Sequence, residues 1–160
     1  CNVEEDCAAD GNAHSQAVNA MAAKEGAETV VVSAAIEAEV SQLGDAEEKA
    51  EYLESLGLSE AGLNRVIRSG YKLLKLLTYY TSGPKESRAW TVSEGTKAAP
   101  AAGKIHTDFE RGFIAAETIA FDDFIECNGE QGAKDTGKMR LEGRDYTVHD
   151  ADIILFRFNV

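Results

Sequence analysis

Proline is almost missing from this chain, with 2 in 160 residues, and tryptophan occurs once. So little proline excludes collagen-like and proline-rich extended segments, and no internal repeat or low-complexity tract is present. Cysteine occurs three times, as Cys1, Cys7 and Cys127. An odd count without a CxxC pair excludes a disulfide framework and a zinc ribbon, and points to a reducing, cytoplasmic compartment. No apolar run approaches the roughly 20 residues that cross a bilayer as a helix, so no membrane partner is expected. The histidines, His14, His106 and His149, fall outside HxH, HExxH and Cys/His ligand spacing, and there is no GxSxG. The phosphate cradle GxxxxGK[ST] is also absent, so nothing here holds the phosphates of ATP or GTP. The chain opens Cys-Asn-Val, without an initiator methionine or a leader, and reads as the interior and C-terminus of a longer protein.

What is present is globular in character: 44% hydrophobic and 28% charged residues, enough to bury a core in one domain or two small ones. The net charge of −12 is unevenly placed, because residues 1–60 hold 14 acidic and 2 basic residues. Segment 61–111 reverses the balance with 9 basic and 4 acidic residues. The acidic whole-chain charge therefore does not exclude a nucleic-acid partner.

The loop Glu4–Gly11 leads into a helical pattern with Ala17, Val18, Met21 and Ala22 on one face and Gly26 as its stop. Thr29–Val32 is a short β-branched run that reads as a strand buried on both faces of an α/β sheet. Helical spacing returns with Ile36, Val40 and Leu43 aligned and Glu37 and Glu39 turned outward. Asp45 and Glu48 read as a capping box, and Ser59 as the cap of the next helix. That helix carries Leu63, Val66, Ile67, Tyr71 and Leu74 on an expected buried face, and Arg65, Arg68, Lys72 and Lys75 on the opposite one. Thr81–Pro84 reads as the linker between domains. Beyond it come an expected strand at Ser87–Val92, a helix at Ala99–His106, a strand at Phe113–Ala120 and a helical turn at Asp122–Cys127. Late strands are expected at Met139–Glu142, Asp145–Val148 and Ile153–Phe158. This is an α+β pattern of one helix over a mixed sheet.

Asp122 and Asp123 resemble paired carboxylates, but adjacent acids in a first helical turn fit a solvated helix start better. Trp90 fits a core aromatic better than a stacking platform. Two other places carry chemistry. Asn2–Glu5 forms a loop after one strand end and Ser33-Ala34-Ala35 a loop after the next, the two positions at which P-loop GTPase-like sheets grip the nucleotide base. The cations Arg65, Arg68, Lys72 and Lys75 recur at helical spacing and form a candidate RNA or ribosome contact, unless they pair internally with Glu47, Glu48, Glu51 and Glu54.

The run from Glu86 to Tyr146, with ESRAWTVSEGTKAAPAAGKIHTDFERGF at its start, and the closing FRFNV resemble the C-terminal TGS domain of the YchF / Obg-like ATPase family. Upstream, GLNRVIRSGYKLLKLLTYYTSGPKE resembles the last helix of that family's nucleotide-binding domain. The resemblance implies that residues 1–80 are the C-terminal part of a P-loop NTPase domain, with α/β fold. Residues 83–160 would be a ubiquitin-like β-grasp TGS domain. Asn2 and Glu5 look like the family's NxxE, associated with preference for ATP over GTP, and Ser33, Ala34 and Ala35 like its backbone base loop. The implied cofactors of the intact protein are ATP and Mg2+, the metal held by residues upstream of this chain, and the implied partner is the ribosome or RNA. No catalytic residue is assigned to this chain. The alternative is a non-catalytic β-grasp module that binds RNA or protein. "DADIILFRF" departs from the family pattern, with Ala151 and Leu155 where glycine and histidine are usual.

Overall fold

Backbone pairing in the first unit begins at its first residues. The Cys1 amino group donates to the Val30 carbonyl at 2.6 Å, Val32 N–H to Cys1 O at 2.9 Å and Val3 N–H to Val32 O at 2.8 Å. These bonds form a parallel bridge between Asn2 and Val32. The computed structural model describes residues 1–159; Val160, the last residue of the expected second domain and of FRFNV, lies outside the described residues. The chain divides into two units, Cys1–Leu73 and Leu74 onward.

In the first unit a 3-10 turn at Glu5–Cys7 precedes α1 (Ala13–Glu25). Asn12 caps α1 by accepting from His14 and Ser15 N–H, and Ser15 Oγ accepts in return from Asn12 N–H at 2.8 Å. Gly26, at φ 68°, ends the helix in the left-handed conformation that glycine adopts without a Cβ clash. Next come α2 (Ala34–Gln42), α3 (Ala46–Ser55) and α4 (Gly62–Leu73). Asp45 Oδ1 accepts Glu48 N–H at 2.8 Å, the expected cap of α3. The core is small: Ala8, Ile36, Val40, Leu53 and Leu58, with Tyr52, Leu56 and Ala61 packed against it.

Several sequence expectations are corrected here. Thr29–Val32 is not a strand buried on both faces; Thr29 through Val32 are half-buried, and a single parallel bridge is made at Val32. Val18 and Met21 of the expected inner face of α1 are exposed, while Ser15 and Ala22 are buried. The largest reversal is in α4. Its apolar residues Leu63, Val66 and Ile67 are 58%, 46% and 50% exposed, while Arg65, Arg68 and Lys72 line a pocket of the same unit. Helical spacing shows which side chains share a face, but not which face turns inward.

The second unit contains β1 (Leu76–Ser82), β2 (Ser87–Ser93), α5 (Ala98–Ile105), α6 (Thr107–Arg111), β3 (Phe113–Ile119), α7 (Phe121–Glu126), α8 (Glu130–Asp135), β4 (Arg140–Glu142) and β5 (Ile153–Phe158). Its five strands are ordered β2-β1-β5-β3-β4. The β1–β5 pair is parallel and the other neighbours are antiparallel. Strand β1 was not expected. The α4 pattern was expected to run on to Lys75, but the helix stops at Leu73 and Lys75 takes φ 50°. Seven residues of β1 then pair with β2 from Leu76↔Ser93 to Ser82↔Ser87. Thr81–Pro84, expected as the linker, therefore belongs to a hairpin, and the division falls between Leu73 and Leu74. Leu77 and Tyr79 alternate into the core as a half-buried strand requires. At Asp145–Val148 the expected strand reduces to one bridge, Lys97↔Thr147.

One face of this sheet carries the core. Leu77, Tyr79, Val92, Phe113, Ala116, Ile154 and Phe156 pack with Ala98, Ala99, Ala101 and Ala102 of α5. Alanines on the inner side of α5 let helix and sheet approach closely, and Pro100 lies in the first turn, where no intrahelical N–H is needed. Tyr79 is fully buried and donates its hydroxyl proton to Ala101 O at 2.8 Å; burial pushes its phenol well above the usual range. Trp90 packs against this core and donates from Nε1 to Thr81 Oγ1 at 3.0 Å.

The segment that leads into β5 is held by Asp152, which is 4% exposed. Its Oδ2 accepts from Tyr146 O–H at 2.8 Å and from His149 N–H at 2.9 Å. Arg140 Nη2 donates to the Tyr146 oxygen at 3.1 Å. Within this turn Ala151 has φ 63°, a conformation that costs an L-residue about 1–2 kcal/mol. Glycine avoids that cost but adds freedom to the unfolded chain worth about 0.4–1 kcal/mol. Ala151→Gly is expected to stabilise the second unit by about 0.5–1 kcal/mol, read as a higher urea midpoint with unchanged slope.

Burial, and then the Asp152 carboxylate, push the Tyr146 phenol up to about 12. A folded value above the unfolded one, about 10, means that the contribution is complete below pH ~10 and is lost as pH rises toward the folded value. Stability of the second unit is expected to fall across this window. Tyr146→Phe should lessen the alkaline loss, as followed by thermal unfolding in parallel with tyrosinate absorbance.

Candidate functional site

The Asn2–Val32 register sets the two expected base-loop segments side by side. Asn2 Oδ1 accepts Ala34 N–H at 3.0 Å. Ala34 is the first residue of α2, and Ser33, which precedes it, makes no side-chain cap. Asn2 therefore supplies from another segment the acceptor that this helix end lacks. Around this bond an open pocket of about 470 Å3 is lined by Asn2, Val3, Glu4, Glu5, Asp6, Ser33 and Ala35. Of the expected residues, Asn2, Glu5, Ser33 and Ala35 line the pocket, and Ala34 takes part through its backbone N–H.

Two properties of the pocket bear on its chemistry. Ser33 is 3% exposed, and its Oγ has no hydrogen-bond partner. A buried hydroxyl without a partner loses about 1–3 kcal/mol relative to a satisfied one. The other wall is acidic, with Glu4, Glu5 and Asp6 exposed at consecutive positions. Their field reaches Cys7, whose thiol is raised, first by its hydrogen bond to Asp6, then by desolvation and by the charges of Asp6 and Glu4. Cys7 is thereby kept from thiolate chemistry at neutral pH. A hydroxyl that both donates and accepts, beside carboxylates that only accept, suits the edge of a heterocycle that presents amino donors and ring-nitrogen acceptors. Glu4 and Asp6 extend the expected pair, and their adjacency to Glu5 was the signal available for them.

The basic side chains form a second pocket in the first unit, of about 600 Å3, where Arg65, Arg68, Ser69 and Lys72 face Asp10, Gln16, Asn19, Glu28, Thr29 and Glu60. Arg68 binds Glu60 through two bonds of 2.9 and 2.7 Å, and Lys72 binds Glu28 at 2.5 Å. The internal partners are therefore Glu60 and Glu28, not Glu47, Glu48, Glu51 or Glu54. Both cations are more than 70% exposed, so each pair contributes about 0–1 kcal/mol. Arg65 differs, since its Nε is enclosed and has no partner. Lys75 lies past the helix end and does not continue the stripe.

Among the described residues no group of three or more His, Cys, Asp and Glu is placed to hold a metal ion. The run Gly132–Met139 has the glycine and lysine spacing of a phosphate loop but ends in methionine. Its first part is α8, and Lys138 binds Asp123 at 3.0 Å, so it cradles no phosphate. Among the described residues no helix is long and apolar enough to cross a membrane.

Comparison with known proteins agrees with the resemblance read in the sequence. Residues 76–159 match the family YchF-GTPase_C, described as a protein of unknown function. A Haemophilus influenzae protein named Ribosome-binding ATPase YchF is 60% identical over 159 residues, 99% of this chain and 43% of that protein. A Xenopus laevis protein named Obg-like ATPase 1 is 49% identical over 134 residues, 84% of this chain and 33% of that one. The structure of the Schizosaccharomyces pombe YchF GTPase superposes with a TM-score of 0.82 at 30% identity, covering 96% of this chain and 41% of that one. The chain belongs to the YchF / Obg-like ATPase family, through its C-terminal part. It spans less than half the length of the curated relatives it matches.

Proposed function

We propose that this chain is the base-recognition edge and the partner-binding end of a YchF-type P-loop NTPase. The intact protein would bind and hydrolyse ATP, with GTP less favoured, and associate with the ribosome in the cytoplasm. The observation that carries the reading is the pocket in which Asn2 Oδ1 holds the Ala34 amide beside the buried, unpartnered Ser33 hydroxyl. In this reading Ser33 and the backbone of the Ser33–Ala35 loop meet the base edge, and Glu5 accepts from its amino group. The triphosphate and Mg2+ would be held by parts of the protein outside this chain. The names of the relatives support both ATP and the ribosome. The second unit would be the ubiquitin-like β-grasp TGS module, a reading supported by its five-stranded mixed sheet with β1 and β5 parallel at the centre.

The test is equilibrium titration of the full-length protein with ATP and GTP. Asn2→Ala releases the Ala34 amide and is expected to weaken ATP about tenfold, or about 1.4 kcal/mol, with less effect on GTP. An unmodified protein that binds both equally, or GTP more tightly, overturns the base-pocket reading.

For the ribosome or RNA contact, the Arg65 Nε that has no partner favours the basic side of α4, where Arg68 and Lys72 would exchange exposed carboxylates for phosphates at little cost. Lys75, the remaining member of the expected set, would add to this contact only from beyond the helix end. Arg65→Gln is expected to reduce the salt dependence of ribosome binding by about 0.7–0.9 in the log–log slope, one phosphate contact. Anisotropy titrations over a range of KCl concentrations measure it. An unchanged slope in both Arg65→Gln and Arg68→Glu/Lys72→Glu removes this helix from the interface.

A further inference from the structure

Glu37 lies in the first turn of α2, three residues after Ala34, on the side that helical spacing turns outward. Its carboxylate instead accepts Gly62 N–H at 2.6 Å and Leu63 N–H at 3.1 Å, the first two amides of α4. These amides lack partners within α4, and a carboxylate at a helix N-terminus satisfies them with favourable charge. The approach depends on Gly62. A Cβ there would stand 2.8 Å from Glu37 Oε1 and 2.8 Å from Val32 Cγ1. Val32 is the residue bridged to Asn2 and directly precedes Ser33. The two ends of the segment from Ser33 into the first turn of α2 are thus both fixed against the start of α4, one through Val32 packing on Gly62, the other through the Glu37 carboxylate. Asn2 holds the middle, at Ala34 N–H.

We infer that Glu37 is a positioning residue for the base pocket: it anchors the helix that carries the base loop without touching the ligand itself. Glu37 does not line the pocket, so it acts through the loop. Without the Glu37 carboxylate the first turn of α2 loses its tie to α4 and is free to shift, and the Ser33 hydroxyl and the amides at the start of α2 lose their aim. Small displacements of groups that orient a ligand cost much of the affinity those groups supply. Contacts to phosphate, made elsewhere in the protein, are untouched by such a shift. This inference rests on the base-pocket reading given above.

The experiment compares ATP with inorganic tripolyphosphate, which shares the phosphates and lacks the base, in the full-length protein. Glu37→Ala is expected to weaken ATP about tenfold while leaving tripolyphosphate unchanged. Glu37→Gln keeps one acceptor for Gly62 N–H, and is expected to recover part of the ATP affinity, leaving a loss of about threefold. It also serves as the measured variant if Glu37→Ala does not fold. A purely structural tie would lower both ligands together, or lower the melting temperature without changing their ratio; either result overturns the positioning role. If the unmodified protein binds ATP no better than tripolyphosphate, the base-pocket reading fails, and this inference with it. If it discriminates and both variants discriminate equally well, Glu37 alone loses its role.

Discussion

The parallel register that sets Asn2 beside Val32 is the constraint on which the first unit's site depends. Three backbone hydrogen bonds fix it. In a parallel pair both strands point the same way, so the loops that follow them emerge at the same end. Loops at the carboxyl ends of parallel strands are where open α/β sheets bind ligands. A shift by one residue would turn the Asn2 amide away from Ala34 and leave the start of α2 without its acceptor. The chemistry of this pocket, from the enclosed Ser33 hydroxyl to the acidic rim at Glu4–Asp6, follows from that placement.

Helix α4 shows how tertiary partners settle what periodicity leaves open. Its pattern divides the side chains into an apolar and a basic set, and ordinary burial would turn the apolar set inward. In the first unit the surface facing the helix offers Asp10, Asn19, Glu28 and Glu60, which complement the basic set. The helix is fixed at its start by Glu37 and along its side by Glu60 and Glu28. Leu63, Val66 and Ile67 remain exposed as a contiguous apolar stripe on consecutive turns, the kind of surface that marks a contact.

The second unit was more legible because its core is built by alternation. Phe113–Ile119 and Ile153–Phe158 appear close to where β-branched and aromatic residues placed them. The alanine-rich helix α5 and the acidic turn of α7 also stand where expected. Strand β1 was hidden because Leu73-Leu74-Lys75-Leu76-Leu77 extends the helical spacing of α4 without a glycine or proline to interrupt it. Lys75, at φ 50°, makes the break with a residue that carries no sign of it. The sequence had placed Thr81–Pro84 between domains, and a Gly-Pro turn serves a hairpin as readily as a linker.

By itself the sequence determined the family, a mixed fold of helices and strands, and Asn2, Glu5 and Ser33–Ala35 as residues that come together around one pocket. These are local properties: residue type, spacing, and the turn chemistry that starts and stops helices. Only the tertiary structure decided that Asn2 reaches Ala34, that Glu37 holds α4, and that Glu28 and Glu60 neutralise Lys72 and Arg68. Each of these joins groups 8 to 44 positions apart. Hydrogen-bonding capacity and charge are written in a residue's identity, but the partner that satisfies them is set by where the backbone brings distant segments together.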